Sequence, residues 1–368
     1  MRVLIVSYLN LNYGGGGEVW IGEVARRWSL SHKVSIITTT FGERRSRRLK
    51  LPEEVCVKEI SSVPGTTLPR PSGFGLLSKA FDESDVVYFN YTAGGLEAAT
   101  LVLQELSRVP VIVGHHGALE WATTEPGIEH IKLLFAALGP RNIRIGRHFA
   151  AHHVQNSHDF ALLTRFGITN LFNIPGAIHC DEFGPAPKRQ SFTMTFAGSF
   201  APQKGVDLLP NIIRLVRDRV PQSTFEFCGN GPYRGFLGEL QGMLDVRYVG
   251  FLGVTEMHRL VSSAHVYLLP SRHETFSKAA MEALASGTPV VAMRVPGVED
   301  YLIDGHNGYL ADNVEGFASA VHRVYTLWST DRPGYERMSR RCVDTARGYD
   351  WSVIGPRFET LLMQVAQR

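Results

Sequence analysis

The 368-residue sequence lacks the features that define several classes of protein. Its four cysteines lie far apart, and none are in a CxxC arrangement, which argues against a disulfide scaffold and a cysteine-based metal site. No apolar run approaches the roughly 18 residues of a membrane-spanning helix. The formal net charge is only +3, too small to indicate nucleic acid as a partner. A hydrophobic content of 44% and a charged content of 20% are typical of a soluble globular protein.

The amino-terminal residues are apolar but do not form a complete secretory signal. Residues 1–8 carry one basic side chain, no small-residue cleavage site follows, and the segment leads into four glycines at 14–17. We interpret it as a first buried strand and predict a cytoplasmic protein. Residues 43–50 concentrate positive charge. They are either a solvated loop or a contact with anionic lipid headgroups or an acidic acceptor, so peripheral contact with the inner face of a membrane stays open.

Short apolar runs alternate with helix-length segments along the chain. Continuous rather than alternating apolar strands indicate parallel sheets that are buried on both faces, and the predicted class is therefore α/β. The predicted strands are residues 3–8, 34–38, 86–89, 109–113, 153–155, 171–174, 192–197, 224–228, 246–249, 266–269 and 289–293.

A segment rich in proline and glycine, residues 183–190, separates two series of strands and predicts a domain boundary. We predict two Rossmann-like, doubly wound parallel-sheet domains at residues 1–183 and 191–348. Apolar residues at helical spacing predict a final helix within 349–368 that crosses back to the first domain. Because ligands of open α/β sheets bind beyond the carboxyl ends of the strands, two such domains facing each other would enclose a cleft.

Two glutamates eight residues apart, Glu274 and Glu282, give the most specific signal of a ligand site. The first lies in a polar loop after an apolar strand, and the second lies in a helix that we expect Ser277 to cap. The free N–H groups of that helix and the charge of Lys278 would bind a phosphate. Glu274 would then accept hydrogen bonds from sugar hydroxyls, and Glu282 could reach a ribose diol. The alternative is a surface helix with two solvated acids.

These residues and several short motifs resemble the retaining glycosyltransferases of family 4, which have the two-Rossmann GT-B fold. The resemblance covers nearly the whole chain. The other matching motifs are GGGGE at 14–18, HG at 116–117, FAGSFAPQKGVDLL at 196–209, CGNGP at 228–232, VGF at 249–251, GVE at 297–299 and DGHNGYL at 304–310.

The resemblance implies a role for each matching residue. Three of them would act at the reacting centre: Lys204 on the donor diphosphate, Glu274 on the donor-sugar hydroxyls, and His116 on the sugar from the opposite domain. Glu282 would bind the ribose. The second domain would hold the donor, and the first would hold mainly the acceptor. The remaining predicted donor contacts are Gly15, Gly16, Gly198, Ser199, Arg272, Phe276, Ser277 and Lys278. The predicted acceptor contacts are Glu18, Asn90, Tyr91 and Trp121, with core packing as the alternative for the last three.

The implied reaction moves a hexosyl or amino-hexosyl group from a nucleotide diphosphate sugar, UDP- or GDP-linked, to an acceptor hydroxyl. Such enzymes need no metal and no cofactor, because a lysine, loop amides and a helix end stabilise the leaving diphosphate. A zinc site among His148, His152, His153 and His158 is disfavoured, since no carboxylate or cysteine stands at a matching spacing. The acceptor stays open between a small molecule, a glycan and a lipid-linked glycan, and so does the oligomeric state.

The sequence departs from the family at three places. Ser199 stands where the family usually has an arginine beside the phosphates, residues 174–178 lack the usual Asn-Gly, and the doublet His115-His116 leaves open which imidazole faces the ligand. Lys278 or Arg272 could compensate for Ser199. Two alternatives therefore remain: a nucleotide-sugar epimerase of the same fold, and a non-catalytic binding subunit. A dinucleotide oxidoreductase is disfavoured because the amino-terminal loop is not GxGxxG.

Overall fold

The computed structural model describes residues 1–8, 11, 16–40, 51–63, 66–90, 95–116, 147–231 and 233–367. These residues form two compact units. Unit 1 comprises Met1–Gly176 together with Gly355–Arg368, and unit 2 comprises Ala177–Ile354. Over the part of the chain that the structure describes, no helix is both long enough and apolar enough to cross a membrane.

Each unit is built on one parallel sheet. The strands are β1 (Arg2–Ser7), β2 (Lys33–Thr39), β3 (Cys56–Ile60), β4 (Val86–Asn90), β5 (Val111–Gly114), β6 (Ala151–Val154), β7 (Leu171–Asn173), β8 (Thr193–Ser199), β9 (Thr224–Asn230), β10 (Val246–Tyr248), β11 (Val266–Leu269), β12 (Val290–Met293) and β13 (Gly308–Ala311). The order is β3-β2-β1-β4-β5-β6-β7 in unit 1 and β10-β9-β8-β11-β12-β13 in unit 2. All pairings between these strands are parallel.

Helices connect most of the successive strands, as is typical of a doubly wound fold. In unit 1 the described helices are Gly16–Trp28, Pro71–Asp82, Gly95–Ser107 and Ser157–Arg165. In unit 2 they are Leu209–Arg217, Gly235–Gln241, Val254–Ser263, Lys278–Ala285, Val314–Thr330 and Arg332–Arg347, with short 3₁₀ turns at Cys180–Glu182, Pro202–Lys204 and Val206–Leu208. The last helix, Trp351–Ala366, begins in unit 2 and continues into unit 1. The predicted fold class, two Rossmann-like parallel-sheet domains with a returning carboxyl-terminal helix, is confirmed.

The central strands carry the cores, because both faces of a parallel sheet are covered by helices. All residues of β4 and β11 are buried. The edge strand β3 has four exposed residues out of five, so its sequence lacks the continuous apolar run of a central strand. The register aligns Ser7 with Thr38 and Asn90 in unit 1, and Ser199 with Asn230 in unit 2. The loops that follow these strands therefore emerge at the carboxyl edge of each sheet.

Candidate functional site

The candidate donor site of unit 2 is formed by two loops at the carboxyl edge of its sheet. One loop follows β8 and contains Lys204, and the other follows β11 and contains Glu274. The Nζ of Lys204 lies 2.7 Å from Oε1 of Glu274, which also accepts a hydrogen bond of 2.7 Å from Oγ of Ser271. Glu274 is only 5% exposed, whereas the Lys204 side chain keeps 30% of its surface accessible. The fold thus brings together two predicted catalytic side chains that are 70 residues apart in the sequence.

The approach of the two loops depends on Gly205. Its backbone has φ = 61°, in the left-handed region, and a Cβ at this position would lie 1.9 Å from the carbonyl oxygen of Pro270. Any other residue would force the loops apart. The glycine after Lys204 therefore lets the lysine loop contact the backbone just before Glu274.

Arg272 also joins the same two loops. Its Nη1 and Nη2 donate to Oδ1 and Oδ2 of Asp207 at 2.7 and 2.5 Å, and Nη1 also donates to the carbonyl oxygen of Pro202 at 2.7 Å. The Arg272 guanidinium holds the pKa of the Asp207 carboxyl below its usual range. Arg272 was predicted to contact the donor, and these three hydrogen bonds of its side chain go to protein oxygens.

The second glutamate lies on the helix Lys278–Ala285, where Glu282 is 8% exposed. Nζ of Lys278 lies 3.5 Å from its Oε1, one helical turn away. The two lysines of the site, Lys204 and Lys278, are therefore paired with the two candidate carboxylates. A ligand with a diphosphate and hydroxyl groups offers an anion for the cations and donors for the carboxylates.

The start of this helix differs from the prediction. Ser277 precedes Lys278 as expected, but its backbone has φ = 53°, and its side chain makes no capping hydrogen bond. The predicted side-chain cap is wrong, because the loop turns through the left-handed region there, instead of the extended backbone that side-chain capping requires. Phe276 is buried and contacts the rings of Tyr301 and Tyr349. Among the other predicted donor contacts, Gly198 ends β8 together with the exposed Ser199.

Unit 1 places a group of histidines beside the carboxyl end of β5. His116 Nε2 lies 3.0 Å from the Tyr88 hydroxyl, and that hydroxyl lies 2.7 Å from Nδ1 of His153. Nε2 of His153 lies 2.7 Å from the carbonyl oxygen of Ile174, and Nδ1 of His116 lies 2.7 Å from Nε2 of Gln155. We call these five residues the histidine relay.

The carbonyl group of Ile174 fixes the direction of every bond in the relay. It can only accept, so His153 donates from Nε2 and, when neutral, accepts at Nδ1 from Tyr88. Tyr88 then accepts from Nε2 of His116, whose Nδ1 accepts from Gln155. Burial lowers the pKa of His153 to about 4, and burial together with His153 holds the pKa of His116 well below its usual value. The relay is therefore a chain of neutral groups.

Aromatic packing encloses the relay. Trp20 lies against His116 with ring centroids 4.3 Å apart, and Phe358 of the returning helix contacts both Trp20 and His153. A Cβ on Gly114 would lie 1.8 Å from the Tyr88 hydroxyl, so only glycine fits there. The other imidazole of the doublet, that of His115, is buried and lies 3.0 Å from His152. Within the described residues, no group of three or more histidine, cysteine or acidic side chains is arranged to hold a metal ion.

The remaining predicted residues of unit 1 are described only in part. Asn90 ends β4 and is 1% exposed, and it lies beside Gly114 in the sheet register. Gly16 and Glu18 belong to the first turn of the helix Gly16–Trp28. Gly15, Tyr91 and Trp121 lie outside the described residues.

Sequence reasoning missed Tyr88, Gln155, Asp207 and Ser271. Tyr88 sits within a continuous apolar strand, and a hydroxyl in such a strand that needs a partner is the one signal that could have found it. Asp207 lies three residues after Lys204, but its partner Arg272 is 65 residues away. Only the sheet order brings these two residues together.

Part of unit 2 is similar to known glycosyltransferases. Residues 191–326 match the family model described as glycosyl transferases group 1. The chain is 30% identical over 150 residues to sulfoquinovosyl transferase SQD2 of Arabidopsis thaliana, and this match covers 40% of the chain and 29% of the relative. It is 25% identical to a D-inositol 3-phosphate glycosyltransferase of Pseudarthrobacter chlorophenolicus, over 92% of the chain and 87% of the relative. The match to the plant enzyme thus spans less than a third of that enzyme's length.

The fold matches solved structures over its full length. The crystal structure of HepE from Anabaena in complex with UDP superimposes with a TM-score of 0.80 at 16% identity, covering 99% of this chain and 100% of that chain. At this identity the likeness shows the fold alone. The chain therefore has the two-domain GT-B fold, and its residues 191–326 match the group 1 glycosyltransferases.

Proposed function

We propose that the chain is a retaining glycosyltransferase that moves a hexosyl or amino-hexosyl group from a nucleotide diphosphate sugar to an acceptor hydroxyl. The observation that carries the proposal is the contact of 2.7 Å between Lys204 and the buried Glu274, at the carboxyl edge of a parallel sheet. It lies within the segment that matches the glycosyl transferases group 1. Ligands of open parallel sheets bind at this edge.

Different side chains would bind different parts of the donor. Lys204, Lys278 and the first N–H groups of the helix Lys278–Ala285 would bind the diphosphate and stabilise the charge that develops on it. Glu274 would accept hydrogen bonds from the sugar hydroxyls, and Glu282 from the ribose. Each carboxylate already lies against a cation, so donor binding would replace the two cation–carboxylate pairs with contacts to the ligand.

The chemical step would need no enzymic nucleophile. The bond between the anomeric carbon and the diphosphate oxygen breaks, and the acceptor oxygen forms a new bond on the same face of the sugar. The acceptor proton moves to the leaving phosphate oxygen, which balances the charge. Glu274 orients the sugar in this scheme, and the cations take the place of a metal. Metal independence, retention of configuration and a cytoplasmic location stay predictions.

The acceptor would be held mainly by unit 1, near Asn90 and the helix that contains Glu18. We propose a sugar, a glycan or a lipid-linked glycan as its chemical class. In the relay, both ring nitrogens of His116 already have hydrogen-bond partners. A contact of its imidazole with the donor sugar would therefore require one of these bonds to exchange.

Calorimetric titration with UDP-, GDP- and ADP-linked sugars, followed by assays of nucleotide release with and without acceptor sugars, tests the proposal. A UDP-sugar is the first donor to test, because HepE, which has the same fold, was crystallised with UDP. We expect Glu282→Ala to weaken nucleotide binding about tenfold, the effect of losing a charge-assisted hydrogen bond. The control is Glu239→Ala in the same unit, which removes an exposed partner of Arg214 and should leave binding unchanged.

The outcomes separate the three candidate functions. Nucleotide release only when an acceptor is present supports transfer. Conversion of the donor without acceptor supports the epimerase, and tight donor binding without turnover supports a non-catalytic subunit. The exposed Ser199, in place of an arginine, is the observation that favours the last of these. Absence of binding by every nucleotide sugar would contradict all three.

A further inference from the structure

The contacts of Arg272 do not look like those of a ligand-binding residue. Its guanidinium makes two parallel hydrogen bonds to the Asp207 carboxylate and a third to the Pro202 carbonyl oxygen. Its backbone N–H donates to the carbonyl oxygen of Gln203 at 2.8 Å. All four bonds join the loop of Glu274 to the segment that runs from residue 202 to residue 207. Lys204 lies in the middle of that segment.

We propose that Arg272 and Asp207 are positioning residues that set the separation between Lys204 and Glu274. We call Arg272 and Asp207 the clasp. The inference rests on the proposed function in one respect, since it assigns the clasp a role in shaping the donor site. It changes the role of Arg272 from a contact with the donor to an anchor of the residue that makes that contact.

Geometry favours this role over direct binding. A bidentate arginine–carboxylate pair is planar and fixes both groups, so it holds two loops in register better than a single bond does. The side chains of Arg272 and Asp207 are 38% and 30% exposed, so water can replace the pair when one partner is removed. Lys204 belongs to one of the two joined segments, and Glu274 belongs to the other. Loosening the clasp would therefore change the distance between them before it unfolds the unit.

The chain offers a matched control in unit 1. Arg2 binds Asp85 through Nη2 at 2.6 Å and Nε at 3.1 Å, and its backbone N–H donates to the same carboxylate at 2.8 Å. The two side chains are 53% and 38% exposed. This pair repeats the chemistry of the clasp and joins β1 to the residue before β4, away from either candidate site. It therefore shows what the loss of such a pair does to the protein in general.

The experiment compares Asp207→Asn and Arg272→Lys with Asp85→Asn and Arg2→Lys in the full chain. The first measurement is the rate at which Lys204 is acetylated by acetic anhydride, read by mass spectrometry. The second is the affinity for UDP, measured by calorimetry. We expect Asp207→Asn to raise the labelling rate of Lys204 several-fold and to weaken UDP binding about tenfold. The two control variants should change neither quantity.

The outcomes decide whether the clasp positions Lys204 and Glu274. Equal labelling of Lys204 in the clasp and control variants would overturn the inference, and so would weaker UDP binding in Arg272→Lys while Asp207→Asn binds UDP normally. The second result would make Arg272 a direct ligand. Failure of the wild-type chain to bind UDP contradicts the proposed function, whereas the labelling rates still test the positioning role by themselves. Should Asp207→Asn fail to fold, Arg272→Lys, which keeps the positive charge, gives the same comparison.

Discussion

The two pairs of carboxylates and lysines in unit 2 and the histidine relay in unit 1 satisfy buried polar groups in different ways. In unit 2, Glu274 and Glu282 are buried, but the lysines that pair with them are 30% and 44% exposed. In unit 1, the relay links four neutral side chains and ends on the carbonyl group of Ile174. A cation at the surface can leave its carboxylate for an incoming anion, because water lowers the cost of separation. The neutral chain has no surface cation to release, and reorienting Tyr88 or His116 would break the two hydrogen bonds that each of them makes.

This difference indicates a division of labour between the units. The pairs of unit 2 can exchange partners with a diphosphate and with sugar hydroxyls. The relay of unit 1 holds the orientation of His116 and the backbone around it. We therefore expect substitutions in unit 2 to act first on ligand binding and turnover, and substitutions in the relay to act first on stability.

The largest effect should come from Lys204→Ala. The variant loses the cation nearest to Glu274 and, in the proposed mechanism, a stabiliser of the leaving diphosphate. We expect turnover to fall by about 10²- to 10³-fold, as for the loss of one preorganised electrostatic contact. Lys79→Ala, which removes an exposed cation paired with Glu83 in unit 1, is the control. An unchanged steady-state rate in Lys204→Ala would contradict the assignment of the donor pocket.

Acid should weaken unit 1 through His153. Its pKa of about 4 in the folded chain lies below the unfolded value near 6.5, so the unfolded state binds more protons between these two values. The contribution of His153 to the free energy of unfolding therefore falls as the pH drops from about 7 to about 4, by on the order of 3 kcal/mol in total. Urea unfolding at several pH values measures it. If His153→Gln retains the full dependence on pH, His153 is not its source.

Gly205→Ala should separate the two loops of the donor site. The left-handed backbone and the carbonyl oxygen of Pro270 leave no room for a methyl group. We expect a loss of about 2 kcal/mol or more in the free energy of unfolding. In contrast, Gly238→Ala in the helix Gly235–Gln241 meets no atom within 4 Å and should stabilise by up to about 1 kcal/mol. Equal stability of the two variants in chemical denaturation would contradict the close approach.

The smallest expected effect is the loss of stability when the Tyr88 hydroxyl is removed from the relay. Tyr88→Phe removes the one group that bonds both His116 and His153, and we expect about 1 to 3 kcal/mol of destabilisation. Tyr335→Phe in unit 2 is the matched control, because its hydroxyl donates to a single carbonyl group, that of His265. It should cost about 1 kcal/mol. The comparison fails if denaturation shows the same loss for both variants.

The sequence predicted most of the fold because strands leave a local pattern. Eleven predicted strands correspond to observed ones, and the two that were missed, β3 and β13, each lie at one edge of their sheet. An edge position does not explain the misses by itself, because the other two edge strands, β7 and β10, were predicted. β3 is mostly exposed, and β13 is short and begins with Gly308.

The candidate site could be predicted only in part. The positions of Lys204, Glu274 and Glu282 followed from motifs, and the structure brings the first two together. The roles that the resemblance assigns to them stay predictions. The expected cap by Ser277 was wrong because residue type fixes a capping tendency, whereas the course of the loop fixes the backbone angle.

By itself, the sequence determined the two series of buried strands and the loops that carry the charged residues. These features depend on neighbours within a few positions along the chain. Only the tertiary structure decided which distant side chains pair: Lys204 with Glu274, Asp207 with Arg272, and Tyr88 with His153. Each pair spans 65 residues or more. Such contacts follow from the order of strands in a sheet, which no local pattern encodes.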